Sequence, residues 1–400
     1  MKIKVKTLIF AACIFAIIFI WVIPASILGI AYYLQDKNSD KAILFYEKYA
    51  SYPTTSGIER KFTYADKLTG SFSKYTIFSD GWGGASSNPE DLEKATEIFT
   101  EIVRWGLQKK SEKHFYIDSY KRLMDIAIAV GDTEMLHEWI SFGQQNDDGD
   151  IKYIADIYNG FLFHVNGDNK GAEKVISEYE NTELADVKLD ILKMEIAFFE
   201  EDYDKVVSIS KNINNIDWKT RDNIVFGSSR YYDRGFWSDG FGKTIKGNNK
   251  IKGTVTCKGE PMPFVEVYVQ EAGGGIRTSG DSYVAITDEK GEFQTVGLKD
   301  GLYSIGIGLD SSRLKDKDLS RSGYGFINLE GSDEEMNFVF NDTINVFSPK
   351  PGEKISGNEF GVSWEEVEGA AYYTVQVVIF SNPHEYYDAN IRQKRSYKIH

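Results

Sequence analysis

The chain opens with its longest run of apolar residues. Residues 8–34 contain no charged side chain. A transmembrane helix needs about 20 apolar residues to cross the hydrocarbon core of a bilayer, and this run exceeds that length with Pro24 inside it. Membrane helices tolerate an internal proline. The pattern therefore predicts a signal-anchor or transmembrane segment over residues 1–35.

The same residues also fit a cleaved secretory signal peptide. Lys2, Lys4 and Lys6 form a basic N-terminal region. The small residues of Gly29-Ile30-Ala31 would permit cleavage after Ala31. The apolar run is long for a signal peptide, which favours an anchor, but both interpretations stay open. The tight lysine cluster favours an N-terminus on the inner side. Residues 36–400 are therefore expected outside the cytoplasm, anchored to the cell membrane, or secreted if the chain is cleaved.

Apolar residues next recur with the period of an α-helix, over residues 36–216. In the clearest stretch they are three and four residues apart, which places them on one face of an amphipathic helix. That stripe consists of Ile151, Ile154, Ala155, Tyr158, Phe161, Leu162 and Val165. Shorter stripes surround it, and together they predict an all-α region of short helices.

A repeated turn divides this helical region. One helix ends and a second starts at Gly131-Asp132, at Gly167-Asp168 and at Glu201-Asp202, at intervals of 36 and 34 residues. Glycine is common where a helix ends, and aspartate caps the helix that follows. Such a period is typical of helical hairpins stacked in an array. Glu90-Asp91 and Asp40 mark earlier, less regular members.

In period and hairpin layout, residues 36–216 resemble tetratricopeptide repeats. The Trp-x2-Leu-Gly-x2-Tyr pattern of that family is absent, so the resemblance concerns the layout more than the consensus. It implies a concave scaffold that binds a peptide or another protein, and it names no contact residues.

Two loops share the pattern Ser-Asp-Gly-aromatic-Gly. One occupies residues 79–83 in the helical region, and the other lies in an aromatic and glycine-rich linker, residues 217–248. One interpretation makes Trp82, Trp237 and Phe241 a stacking surface for a cell-wall glycan or a peptide. The favoured interpretation is a turn that glycine permits, with its aromatic side chain covering the end of the array.

From residue 249 to residue 341 the period of the apolar positions changes to two. The alternating sets are Ile251, Gly253, Val255 and Cys257, then Val265, Val267 and Val269, then Tyr303, Ile305, Ile307 and Leu309. Turn residues stand between these sets, so the pattern predicts an antiparallel β-sandwich. Cys257 shares a face with Val255 and is expected in the core.

Three sequence patterns in this β-region point to a family. They are G-x-V in the first strand, T-D-x-x-G-x-F in a central hairpin, and G-L-x-x-G-x-Y-x-I in a late strand. Residues 249–341 thereby resemble the carboxypeptidase regulatory-like domain. The resemblance implies a prealbumin-like, non-catalytic sandwich that serves as a spacer or adhesive module. It also implies conformational roles, in which Asp288 and Gly291 shape a turn and Phe293 fills the core.

Residues 342–400 begin with a strand whose two prolines indicate the edge of a sheet. Phe360, Val362 and Trp364 then alternate, and the string VSWEEVEGAAYYTVQV resembles the start of a fibronectin type III domain. The resemblance implies a β-sandwich of which only part is present. An incomplete sandwich would expose an unpaired edge, so we expect the natural chain to continue beyond His400.

Composition excludes several function classes. The formal net charge is −14, which disfavours a nucleic-acid partner because phosphates repel an acidic surface. The two cysteines, Cys13 in the apolar run and Cys257 in a predicted strand, are too few for a disulfide framework or a cysteine-based zinc site.

No motif indicates catalysis, a cofactor or a metal. No phosphate loop or nucleophile elbow occurs. Residues 146–150 (Asn-Asp-Asp-Gly-Asp) are acidic enough to attract calcium, but their spacing breaks the EF-hand pattern and favours a solvated turn. Paired metal-ligand spacing is absent from the histidines His114, His137, His164, His384 and His400. We therefore assign no catalytic, cofactor-binding or metal residue.

The sequence thus predicts a multi-domain chain with a transmembrane helix, an all-α array of helical hairpins, an all-β sandwich and a partial second β-sandwich. The expected function is a non-catalytic, membrane-anchored scaffold or protein-binding protein of the cell envelope. One alternative is the non-catalytic part of a surface peptidase or glycan hydrolase whose catalytic domain lies beyond residue 400. The other is a glycan-binding adhesin.

Overall fold

The structure is a computed structural model in which an apolar helix, a helical array and β-sheets follow one another along the chain. This order confirms the predicted layout of helices first and β-structure second. The residues that the structure describes are 5–37, 39, 41–53, 57–69, 74–78, 81–83, 88–106, 110–213, 245–272, 282–314, 317–319, 325–350, 353–354, 360–366, 373–382, 385–393 and 396–399.

Residues 5–36 form one continuous helix, as the apolar run predicts. It consists of α1 (Val5–Ile17), a π-helical segment (Ile18–Val22) and α2 (Ile23–Asp36). Over Ile9–Asp36 it is long and apolar enough to cross a membrane, and within the described ranges it is the one helix that meets this test. A signal sequence near the N-terminus has the same length and composition.

The helical array lies between residues 42 and 213. Its helices are α3 (Ala42–Ala50), α4 (Gly57–Thr69), α5 (Pro89–Trp105), α6 (Lys113–Val130), α7 (Thr133–Gln144), α8 (Gly149–Val165), α9 (Asn169–Tyr179), α10 (Val187–Phe199) and α11 (Tyr203–Ile213). Each helix packs on the next one in the chain, and α4, α6, α8 and α10 also contact one another in that order. Hairpins stacked side by side have this arrangement.

The three predicted turns have the same backbone conformation. The residue that ends the first helix is left-handed in each case, with φ of +75° at Gly131, +78° at Gly167 and +63° at Glu201. The amide after it donates to the carbonyl five residues earlier, for example Asp132 N to Ala127 O at 2.8 Å. These bonds satisfy carbonyls that the end of a helix leaves without partners.

An aspartate caps the second helix at each turn. Its Oδ1 accepts a hydrogen bond from the amide three residues later, at 2.9 Å for Asp132, 3.0 Å for Asp168 and 3.2 Å for Asp202. Upstream the predicted position is wrong, because Asn88, not Glu90-Asp91, caps α5. Asp40 lies outside the described residues.

Two sheets form the first β-sandwich. Their strands are β1 (Lys74–Phe78), β2 (Gly81–Gly83), β4 (Ile251–Cys257), β5 (Glu260–Pro261), β6 (Glu266–Glu271), β7 (Ser282–Ile286), β8 (Glu292–Gln294), β9 (Gly301–Asp310), β10 (Lys317–Leu319), β11 (Gly325–Leu329), β12 (Glu334–Glu335) and β13 (Phe338–Asp342). A further short strand, β3 (Ile245–Asn249), precedes β4 in the chain. One sheet has the order β2-β1-β9-β6-β7, with β11 also on β9, and the other is built around β4. Strands β12 and β13 pair with β4 in parallel, whereas the sequence analysis expected antiparallel pairing throughout.

The strands β6 and β9 are buried on both faces. The predicted inward set is confirmed, since Val267, Ile305 and Ile307 are fully buried. Glu266 and Ser304, which point to the opposite face, are buried as well. Helix α6 contacts β9, so the array covers the face that an isolated sandwich would expose to water.

The hairpin β1–β2 lies in the chain between α4 and α5, yet it extends the sheet of the sandwich. Strand β1 pairs antiparallel with β9, from Lys74 opposite Asp310 to Ile77 opposite Ile307. Array and sandwich accordingly belong to one compact unit, Met1–Lys315 with Leu319–Phe340. The predicted boundaries mark changes of secondary structure within that unit.

Residues 341–400, with residues 316–318, form a second compact unit. In it β14 (Val346–Ser348), β15 (Phe360–Trp364) and β18 (Ser396–Ile399) form a sheet. Strands β16 (Tyr373–Asn382) and β17 (Glu385–Gln393) form an antiparallel pair. Trp364 of β15 is buried, with 8% of its surface exposed.

Candidate functional site

The three repeated turns of the array contact three loops of the β-sandwich, and we call this line of contacts the seam. At the first turn the guanidinium of Arg313 lies against Gly131. A Cβ atom at position 131 would be 2.7 Å from Nη2 of Arg313, so only glycine fits there without a shift. Nη1 of Arg313 donates to the carbonyl of Pro263 at 2.8 Å, and burial lowers the pKa of Arg313 to about 10.

At the second turn the contact is made by Glu289 of the sandwich. Its Oε1 lies 2.7 Å from Nε2 of His137, and its Oε2 accepts from Nδ2 of Asn166 at 2.7 Å. The amide of Glu289 donates in turn to Oδ1 of Asn166 at 3.2 Å. One sandwich residue therefore holds two successive parts of the array.

At the third turn the array itself supplies the contacting side chain. Oε1 of Glu201 accepts a hydrogen bond from the amide of Gly297 at 3.1 Å and lies 3.8 Å from Nζ of Lys250. Glycine stands at the corresponding position of the other two turns. A left-handed conformation costs a residue with a Cβ about 1–2 kcal/mol. Glu201 has this cost, and its side chain makes the contact with the sandwich.

Beside the second and third contacts the array and the sandwich enclose a cleft of about 750 Å³. From the array it is lined by the last turn of α8, by Asn169 and by two residues of α10, Glu195 and Phe199. From the sandwich it is lined by β4, β8 and the segment around β12. Its volume falls within the range of about 300–1,000 Å³ that is usual for ligand sites.

The lining of the cleft combines aromatic rings with carboxylates. The aromatic residues are Phe161, Phe199 and Phe293. The acidic residues are Glu195, Asp288, Glu292, Asp333, Glu334 and Glu335. Among the described residues of the lining, Lys252 is the one lysine or arginine, and it pairs with Asp333 at 2.6 Å. The field inside the cleft is therefore negative.

Individual lining residues differ in their electrostatics. The hydrogen bond from Lys252 lowers the pKa of Asp333. Oδ1 of Asp288 accepts from the amides of Lys290 and Glu292 at 2.9 and 2.8 Å, and Gly291 is left-handed, so these residues shape a turn as the resemblance implies. Glu292 is exposed, and among the described residues no lysine or arginine forms an ion pair with it.

His164 occupies the array side of the cleft. Its Nδ1 lies 3.0 Å from Oδ1 of Asn169, and its ring meets that of Phe199 edge-on at 5.3 Å. Burial lowers the pKa of His164, so the ring is neutral at neutral pH and adds no charge to the acidic lining.

The other sequence-based candidates lie elsewhere. Trp82 is in β2, and Trp237 and Phe241 lie outside the described residues, so the stacking surface stays a prediction. The acidic residues 146–150 form a turn in which Asp148 caps α8. Nζ of Lys113 lies 2.9 Å from Asp148 and 2.7 Å from Asp150, so a lysine occupies the position that calcium would need.

The three histidines within the described residues lie in three different places. His137 lies in the seam, His164 lines the cleft, and His114 lies against Phe115 on α6. His384 and His400 lie outside the described residues. The positions of His137 and His164 could not be predicted from local patterns, because the partner of His137 is 152 residues away and those of His164 lie on other helices. Cys257, which was expected in the core, is half-buried and packs against the core of the sandwich.

Comparisons with known proteins add little to this description. No protein-family model matches the chain, and no curated protein matches it. A solved structure of a DUF3823 family protein from Parabacteroides merdae ATCC 43184 is 16% identical over 38% of this chain and 79% of its own, with a TM-score of 0.16. A TM-score this low carries no argument about fold or function.

Proposed function

We propose that this chain is a non-catalytic, membrane-anchored binding protein of the cell envelope. Its apolar helix holds residues 36–400 on the outer side, and the cleft receives a segment of another protein. The observation that carries the proposal is the lining of the cleft, where aromatic rings lie among carboxylates at the junction of two structural elements.

The chemistry of the cleft selects its ligand. Phenylalanine side chains in the wall of the cleft favour apolar and aromatic side chains of a ligand. The carboxylates attract lysine and arginine and repel acidic segments. We therefore assign as ligand an extended peptide segment with both basic and apolar side chains.

The family resemblances support the same function. Tetratricopeptide-like hairpins imply a protein-binding scaffold, and a carboxypeptidase regulatory-like sandwich with a fibronectin type III-like module implies spacers outside the cell. Three left-handed turns at a regular period, each followed by an aspartate cap, support the first resemblance.

Peptide binding to the full chain in phosphatidylcholine nanodiscs tests this proposal. Three labelled peptides would be compared, in which phenylalanine alternates with lysine, with glutamate or with serine. We expect the lysine peptide to bind and its affinity to fall with added salt, because the charges of the cleft are partly exposed.

A pair of matched variants locates the site. The double variant Glu334→Gln/Glu335→Gln removes two carboxylates from the cleft and is expected to weaken binding roughly two- to tenfold. Glu134→Gln/Glu173→Gln removes two exposed carboxylates from the array outside the cleft and should leave the Kd nearly unchanged. Equal effects of the two double variants, or binding of a soluble wall glycan with no binding of the lysine peptide, would contradict the proposal.

A further inference from the structure

The outer half of the apolar helix is part of the folded array. Helix α3 packs along α2, and Ala31 of α2 is fully buried in the same hydrophobic core as the array. The hydroxyl of Tyr46 donates to Oε1 of Gln35 at 2.6 Å, and its ring meets that of Tyr32 edge-on at 5.9 Å. A cleaved signal peptide has no reason to share a core with the mature chain.

The direction of α3 follows from the order of its contacts. The amide of Ser39 donates to the carbonyl of Leu34 at 3.0 Å. Tyr46 reaches Gln35 and Tyr32, and the ring of Tyr52 lies 5.5 Å from that of Phe19. Later residues of the segment from Ser39 to Tyr52 thus contact progressively earlier residues of the apolar helix. After leaving the apolar helix the chain turns and runs back along it.

Tyr52 donates a hydrogen bond to the backbone of the π-helical segment. In that segment the amide of Ile23 donates to the carbonyl of Ile18, five residues earlier. The next bond of this kind would join residue 24 to Phe19, but Pro24 has no N–H. The hydroxyl of Tyr52 donates to the carbonyl of Phe19 at 3.0 Å instead. Pro24 and Tyr52 therefore act as a pair.

The length of the helix places this pair relative to a membrane. Ile9–Asp36 comprises 28 residues, or about 42 Å at about 1.5 Å per residue, whereas a hydrocarbon core is about 30 Å thick. A span that begins close to the N-terminal lysines ends near residue 25. Trp21, which is 71% exposed, and Tyr52 then lie near the outer interface, where tryptophan and tyrosine are enriched.

We infer that the apolar helix is retained in the mature protein and that the end of α3, from Lys48 to Tyr52, lies at the outer surface of the bilayer. The partner of this surface is lipid, because it is continuous with the membrane-spanning helix. The array therefore contacts the membrane surface directly. This inference rests on the anchoring in the proposed function and not on the peptide-binding cleft.

The depth of two positions on α3 tests the inference. Ser51 and Leu44 are both exposed. In a Cys13→Ala/Cys257→Ala background, Ser51→Cys, Leu44→Cys and the control Glu173→Cys would each carry a nitroxide label in the full chain in phosphatidylcholine vesicles. Accessibility to lipid-soluble oxygen would be compared with accessibility to a water-soluble nickel chelate.

We expect the ratio of oxygen to nickel accessibility to be several-fold higher at position 51 than at position 44, with position 173 lowest. A chain that simply leaves the membrane after residue 36 would give the opposite order for positions 44 and 51, and that order overturns the inference. An intact mass that lacks residues 1–31 also overturns it. Neither result touches peptide binding, which the cleft variants measure separately.

Discussion

The first and third turns of the array have the same backbone conformation and contact the sandwich in opposite ways. At Gly131 the array provides a space without a side chain, and Arg313 of the sandwich fills it. At Glu201 the array provides the side chain, and a glycine of the sandwich, Gly297, receives it. The comparison shows that a left-handed residue fixes the turn, while the tertiary contact decides which residue occupies it.

The second turn separates these two effects. Gly167 is left-handed with φ of +78°, but a Cβ atom there would meet nothing within 4 Å. Its glycine is needed for the backbone alone, whereas Gly131 is needed for both the backbone and the close approach of Arg313. The contact at this turn comes instead from the preceding residue, Asn166.

The largest expected effect is that of Gly131→Ala. We expect it to lower the free energy of unfolding of the array and sandwich by about 2–3 kcal/mol, from about 1–2 kcal/mol of backbone strain plus displacement of the half-buried Arg313 guanidinium. The matched control Gly167→Ala should lower it by about 1 kcal/mol, from strain alone. Urea denaturation followed by circular dichroism measures both, and equal losses would show that Arg313 does not depend on the space at Gly131.

The variant Glu201→Gly is expected to have a smaller net effect. It relieves about 1 kcal/mol of strain and removes a hydrogen bond worth a similar amount at a half-buried site, so stability should change by less than about 1 kcal/mol. Hydrogen exchange at the Gly297 amide should nevertheless rise roughly tenfold, since about 1.4 kcal/mol is a factor of ten.

Glu201→Gln provides the control for that experiment. The amide oxygen of glutamine still accepts from Gly297, while the backbone strain and the side-chain length are unchanged. Exchange at Gly297 should therefore stay close to that of the unaltered protein. If Glu201→Gly leaves this amide equally protected, the third contact does not hold the sandwich to the array.

The smallest expected effect concerns acid. Burial lowers the pKa of His164 below its ordinary value of 6.5. The unfolded chain therefore binds this proton at a higher pH than the folded chain, and stability falls as the pH drops below about 6.5. We expect His164→Gln to remove part of that fall, by less than about 1 kcal/mol.

Thermal denaturation between neutral and mildly acidic pH measures the acid effect. His114→Gln is the matched control, because His114 lies exposed on α6 away from the cleft. Its acid profile should follow that of the unaltered protein. An unchanged profile for His164→Gln would mean that the histidine of the cleft does not contribute to acid sensitivity.

Local sequence signals predicted much of the fold because they act over a few residues. The uncharged run predicted the N-terminal helix, and a period of three to four residues predicted the helical region. Gly131-Asp132 and Gly167-Asp168 predicted the turns, since a left-handed residue and a capping aspartate are both read from neighbouring positions. A period of two predicted the inward-facing strand residues, including Ile305 and Ile307.

The cleft could not be predicted in the same way. Its walls come from α8 and α10 on one side and from β4, β8 and β12 on the other. No local sequence pattern indicates that these helices and strands lie close together. The one local signal of the contact between array and sandwich was Glu201, which has a side chain at a position where the other two turns have glycine. His137 and Glu289 are 152 positions apart, so their contact depends entirely on how the two regions pack.

Sequence alone therefore determined the identity and order of the elements, because helix, strand and turn preferences are local. Tertiary structure alone decided that the hairpin β1–β2 joins the sandwich, that the seam follows the repeated turns, and that Tyr52 reaches Phe19 beside Pro24. Each of these contacts gives a distant partner to a strand edge, to a half-buried charged side chain or to a backbone carbonyl. Hydrogen bonds and packing are indifferent to separation along the chain, and a pattern of neighbouring residues cannot show which distant group will supply them.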